Sequence, residues 1–181
     1  MKRMVLLALG ALALNACVNE PTPSGQRQQA QGEYLDYSGR LDAAEDYQNP
    51  RYMELLMAHH YVDHILRMPL EEWPDPVDRA LHHINPAVYI PLQGPSELGA
   101  SGKVADWDRT GDLGKIAVPT LVIGARYDTM DPAHMEKMAS QVQKGRYLFC
   151  PHGSHMAMYD DQKIYMDGVI QFIHDVDAGR F

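Results

Sequence analysis

The sequence predicts an α/β fold, a parallel strand–helix–strand–helix unit in the second half of the chain preceded by a segment of short helices. Three observations carry this. Val118-Pro119-Thr120-Leu121-Val122-Ile123-Gly124 is a β-branched apolar run ending in Gly, the composition of a strand buried on both faces of a parallel sheet. A second apolar run, Arg146 to Cys150, follows at a distance that leaves room for one helix, and such alternation is the signature of a parallel α/β sheet. In the first half, Asx-Pro pairs recur at Asn49-Pro50, Asp75-Pro76 and Asn85-Pro86, each a helix start with Pro in the first turn.

Taken in order, the elements begin with a leader. Lys2 and Arg3 precede the apolar run Met4–Leu14, too short to span a bilayer but suited to the core of a signal peptide. Leu14-Asn15-Ala16-Cys17 then reads as a lipobox, so residues 1–17 are expected to be a lipoprotein signal with Cys17 acylated. Residues 18–32 are rich in Pro, Ser, Gly, Gln and Asn and read as a flexible polar tether. Residues 33–105 form the helical region. Met53, Leu56, Met57, His60, Ile65 and Met68 recur at three- and four-residue steps, with Tyr61 filling a gap, and Val77, Ala80, Leu81 and Ile84 share a face of the next helix. Gly94 to Gly102 reads as a loop.

Residues 106–181 are the α/β segment. After the strand at Val118–Gly124, Asp131-Pro132 starts a helix running to about Val142. The strand Arg146–Cys150 follows, then an amphipathic helix over Asp160–Val176 with Ile164, Gly168, Val169, Phe172, Ile173 and Val176 facing inward.

Composition excludes some functions. The 181 residues carry 16 Lys and Arg against 24 Asp and Glu, a net charge of −8. Without surplus cations to displace counterions, nucleic acid is not an expected partner. With Cys17 acylated, Cys150 has no partner for a disulfide and reads as a small buried hydrophobe. His60 and His64 are spaced i,i+4, but no His-Glu-x-x-His frame or closing ligand accompanies them. They, like His82 and His83, read as helix-surface or pocket histidines, and no metal is expected.

Chemistry in parallel sheets sits in the loops beyond the carboxyl ends of the strands. One such loop is Ala125-Arg126-Tyr127-Asp128 and the other is Pro151-His152-Gly153-Ser154-His155. Neighbouring parallel strands lie about 4.8 Å apart, so Asp128 and His155 can meet. A carboxylate on one imidazole nitrogen fixes the tautomer and leaves the other nitrogen to take a proton. The order of these residues suits the chain order Ser…Asp…His of one large hydrolase class.

The stretch Val118–Asp128 followed by Gly153-Ser154-His155-Met156 resembles the last third of an α/β-hydrolase. More closely, Trp73-Pro74-Asp75-Pro76, Gly94-Pro95-Ser96-Glu97 and Asp106-Trp107-Asp108 resemble the helical lid and its return in prolyl aminopeptidases, the proline iminopeptidases of peptidase family S33. The resemblance runs from about Leu41 to the C-terminus. It implies the C-terminal part of an α/β-hydrolase fold behind a helical lid, with Asp128 as orienting acid, His155 as base, and Glu97 as the lid residue that binds the free α-amino group of a peptide. No metal or organic cofactor is implied.

Three departures stand out. The family carries a second acid directly after the catalytic Asp, where this chain has Thr129. None of the six serines lies in a Gly-x-Ser-x-Gly frame, and Ser96 misses it by one residue. The oxyanion loop of the His-Gly-Gly-Pro type is also absent. The expectation is a serine peptidase of the prolyl aminopeptidase type that lacks its nucleophile half and is inactive alone. Its partners would be a peptide with a free N-terminus, the membrane through the lipid anchor, and the missing hydrolase half or a second copy of the chain. Its place would be the bacterial cell envelope. The alternative is a non-catalytic lipoprotein that binds a partner or peptide through its helical half.

Overall fold

The structure is a computed structural model that describes residues 40–41, 45–96 and 99–180. The described residues fall into two compact units, one ending at Ala105 and one starting at Asp106.

The first unit is helical. Helix α1, Pro50–Leu55, starts where the Asn49 side chain accepts a hydrogen bond from the Arg51 amide at 3.0 Å, with Pro50 in the first turn. It continues through Leu56, whose backbone stays helical, into a π-helix over Leu56–Ile65. The closing bond runs from the Leu66 amide to the Tyr61 carbonyl at 2.9 Å, a five-residue turn.

That wider turn changes which side chains are buried. Leu56, Tyr61 and Leu66 are buried at five-residue intervals, joined by Tyr52 and Leu55. The expected stripe at three- and four-residue steps is thus corrected: Met53, on that stripe, is 47% exposed. The buried set packs with Leu41, and Tyr47, Trp73 and Leu81 cover it. The Trp73 indole is held by its Nε1 donating to the Met68 carbonyl at 3.0 Å.

Helix α2, Asp75–His82, is capped by Pro74 rather than by the predicted Asp75, which lies inside the helix and pairs with Arg79 at 2.8 Å. Of its predicted face only Val77 is buried and Leu81 half-buried, while Ala80 and Ile84 are exposed. Helix α3, Pro86–Gln93, starts with the Asn85 side chain on the Ala87 amide at 3.0 Å.

The C-terminus of α3 is fully met. Its last carbonyls would be orphans, but the returning loop supplies donors. Gly94 N–H reaches Ile90, Lys103 reaches Pro91, Val104 reaches Leu92, and Ser101 and Gly102 both reach Gln93. Gly94 makes the reversal with φ +106°, a conformation that favours glycine.

The second unit opens with a 3₁₀ turn over Thr110–Lys115, and strand β1 is Thr120–Ala125. Helix α4, Pro132–Gln141, is capped by Asp131, whose carboxylate accepts from the Ala133 amide at 3.0 Å. Strand β2 is Gly145–Cys150. β1 and β2 pair in parallel, from Thr120 beside Gly145 to Ala125 beside Cys150. Val118 lies ahead of β1 and is 37% exposed, so the strand starts two residues later than predicted and ends one later. Gly145 admits the close pass of α4: a Cβ there would stand 1.9 Å from the Ala139 carbonyl oxygen.

The predicted last helix is two. α5 is Ala157–Asp160 and α6 is Gln162–Asp177, separated at Asp161 by a backbone at φ −132°, ψ 44°. The inward face of α6 carries Tyr165, Gly168 and Phe172. Ile164, expected inside, is 39% exposed. At the far end Arg146 of β2 and Arg180 both bind Asp175, at 2.6 and 2.9 Å. These bonds hold the Asp175 carboxyl down at about 2. Among the described residues no helix is long and apolar enough to cross a membrane.

Candidate active site

Because Ala125 and Cys150 are register partners, the loops that follow both strands leave the sheet at one level. The loops are then joined. The Arg126 amide donates to the Cys150 carbonyl at 3.1 Å and the Tyr127 amide to the Gly153 carbonyl at 3.0 Å. Beneath them Cys150 is fully buried against Ala125 and Ala157.

This brings Asp128 and His155 together. His155 Nδ1 lies 3.0 Å from Asp128 Oδ1, and the tautomer that donates here leaves Nε2 as the basic nitrogen. The same Oδ1 accepts the Met130 amide at 3.0 Å and the Thr129 hydroxyl at 3.3 Å. The Asp128 side chain is 9% exposed and that of His155 39%. The hydrogen bond to Asp128 is the main reason the His155 imidazole titrates above its ordinary range. Burial opposes it and the carboxylate charge adds to it. His155 Nε2 has no hydrogen-bond partner among the described residues.

The His155 loop rests on a scaffold that sequence reasoning missed. The Ser154 amide donates to both oxygens of Asp160, at 3.0 and 3.2 Å, and the Ser154 hydroxyl donates to Asp160 Oδ2. The His152 amide donates to Asp161 Oδ2 at 3.1 Å. Between them sits Gly153, where a Cβ would stand 2.7 Å from that of Ala157. The adjacent pair Asp160-Asp161 was the available signal, but a helix start explained Asp160 equally well.

Glu97 and Cys17 lie outside the described residues. Next to Glu97, Ser96 is buried, 3.5 Å from the Tyr52 hydroxyl. Gln93 is also buried, and neither Nε2 nor Oε1 of its amide finds a hydrogen-bond partner among the described residues. In the π-helix, His60 lies 5.3 Å from His64 between ring centres. Burial, then the His64 charge, pushes its pKa down to about 4. No group of three or more His, Cys, Asp or Glu suited to a metal ion occurs among the described residues.

No family model matches the chain. Among curated proteins it is 56% identical over 155 residues to a proline iminopeptidase of Elizabethkingia meningoseptica, covering 84% of this chain and 51% of the relative. It is 54% identical over 149 residues to one of Flavobacterium johnsoniae (82% and 50%), and 49% over 143 residues to one of Chitinophaga pinensis (79% and 48%). The chain thus spans about half the length of the curated relatives it matches. Among solved structures it resembles VinJ, with TM-score 0.73 and 24% identity over 83% of this chain and 50% of that one. It also resembles the proline iminopeptidase of Mycobacterium smegmatis, with TM-score 0.68 and 22% identity over 86% and 55%. At these identities the likeness is one of fold, that of part of an α/β-hydrolase.

Proposed function

The chain is a homologue of proline iminopeptidases over about half their length, and from that premise we propose that it supplies the acid, the base and the lid of a prolyl aminopeptidase. One observation carries the proposal: a carboxylate and an imidazole 3.0 Å apart, on the loops that leave the carboxyl ends of adjacent parallel strands. Asp128 holds the imidazole through Nδ1. His155 Nε2 takes the proton of an attacking serine hydroxyl and later returns it to the departing amine. Glu97 attracts the peptide's α-ammonium group.

The 181 residues hold no Gly-x-Ser-x-Gly frame. The nucleophile therefore comes from a complementary hydrolase half, and the chain alone is inactive. The test is hydrolysis of a prolyl chromogenic amide by this chain with and without the unmatched half of the Elizabethkingia relative. Alone, it should neither turn over nor be labelled by a fluorophosphonate. Reconstituted, it should turn over. Loss of His155 should then cost about 10⁶ in kcat, the scale seen when a serine hydrolase loses its base. Labelling of Ser96 or Ser101 in the chain alone would overturn the reading.

The anchor belongs to the same proposal. Cys17, at the end of Leu14-Asn15-Ala16-Cys17, is acylated and holds the protein at the cell envelope without a spanning helix, as several acyl chains suffice to do. Palmitate label should enter the chain in a Gram-negative host and be lost in Cys17→Ala. Label that persists in the variant would sink this part. A second reading, partner binding without catalysis, is favoured by the exposure of Val88, Ile90 and Leu92 on α3. It predicts that reconstitution yields no prolyl hydrolysis.

A further inference from the structure

We propose that Asp160 is a positioning residue for His155, acting through Ser154 to hold the imidazole against Asp128. The inference rests on the reading of His155 as the base. Its geometry is independent of that reading.

His155 sits one residue beyond Ser154, on the segment that must place Nδ1 within reach of Asp128. Ser154 is 1% exposed and offers Asp160 both its amide and its hydroxyl, engaging both carboxylate oxygens. Hydrogen bonds to an ionised acceptor are roughly twice as strong as neutral ones. With three of them on one residue, neither the peptide plane nor the side chain of Ser154 can turn alone. The next anchor upstream is separate. Asp161 takes the His152 amide, and Gly153 lies too close to Ala157 to shift inward. On the opposite side the Tyr127 amide binds the Gly153 carbonyl, so both walls of the site share this loop. The position of His155 thus depends on a carboxylate in the helix behind it. Asp160 touches no reacting atom.

A staple that only stabilised the loop would leave the Asp128–His155 bond unchanged once the protein is folded. A positioning residue would not. The experiment is an NMR titration of the His155 imidazole in the full chain, assigned by its disappearance in His155→Gln. It is run on the native protein, Asp160→Asn, Asp128→Asn and the double variant. Asp160→Asn keeps an acceptor for the Ser154 amide but removes the charge.

The expected result is that Asp160→Asn lowers the His155 pKa toward its ordinary value, and that this drop vanishes in the Asp128→Asn background. Residues that act through one bond are non-additive in this way. An unchanged His155 pKa in Asp160→Asn overturns the proposal. So does an equal drop in both backgrounds, which is the signature of a lost charge acting through space. If Asp160→Asn does not fold, Ser154→Ala decides. It keeps the amide bonds and removes the hydroxyl bond, so it should shift the pKa in the same direction by less, and no shift overturns the proposal.

In the reconstituted enzyme, Asp160→Asn should lower kcat by about 10–100-fold with KM little changed, the scale of a small misplacement of a catalytic group. Coupling without hydrolysis would refute the peptidase reading and leave the positioning role standing. Hydrolysis without coupling would do the reverse.

Discussion

At His155 two consequences of one hydrogen bond have opposite signs. The bond to Asp128 raises the imidazole pKa above the ordinary value near 6.5. The folded state therefore binds the proton more tightly than the unfolded chain. The pair's contribution to stability is complete below about pH 6.5 and fades as pH rises through the raised value. The proposed catalysis requires the neutral base, so kcat/KM of the reconstituted enzyme should climb with pH along an acid limb centred above 6.5. Asp128→Asn should move that limb to lower pH and cut the rate by about 10⁴, as loss of the orienting acid does elsewhere. A limb that does not move would mean another group is the base. The two residues were legible in the sequence because each ends a strand-and-loop pattern. Their supports were not. Nothing in the string Asp160-Asp161 distinguishes a carboxylate that caps a helix from one that holds a neighbouring loop. Glu97 was named through motif likeness alone.

Among the elements, the strands were readable and the π-helix was not. β1 announces itself by a β-branched apolar run. The segment from Tyr52 to Leu66 is apolar at so many positions that it satisfies both a three-to-four and a five-residue period. Packing against Leu41, Trp73 and Leu81 selects the wider one, a tertiary choice that no local pattern records. That choice half-buries His60 beside His64, where it stays neutral down to about pH 4. The unfolded chain takes up that proton near 6.5. Stability of the helical unit should therefore fall as pH drops from about 6.5 to about 4, and His60→Gln should flatten the dependence. Urea unfolding at pH 7 and pH 4.5, read by circular dichroism, checks this. Gly145 is a sharper case. Its added methyl would meet a backbone oxygen that cannot rotate away, so Gly145→Ala should destabilise the α/β unit by about 1–3 kcal/mol. A melting temperature within a degree of native would mean that α4 is free to move.

For the whole molecule, the α/β order of the second half followed from the spacing of its apolar runs. Which residues of the apolar faces stay uncovered did not. Two strands and their helices leave Phe149, Ile164, Met166 and Ile170 each 38–49% exposed, because an unpartnered amphipathic face looks the same in sequence as a covered one. Three or more strands are usually needed for an independent sheet. Addition of the complementary half should raise the thermal midpoint of the α/β unit, and a midpoint that does not change would show that the two halves do not join. The buried thiol beneath the Asp128 and His155 loops gives a way to watch such joining. Burial, with the charges of Asp161 and Asp160, pushes the Cys150 pKa up to about 11. At neutral pH only about one molecule in 10⁴ would carry the reactive thiolate even if reagent could enter. In Cys17→Ala, Cys150 is the sole cysteine. Its alkylation rate is then a clock for how often the sheet opens, and it should slow when the fold is completed.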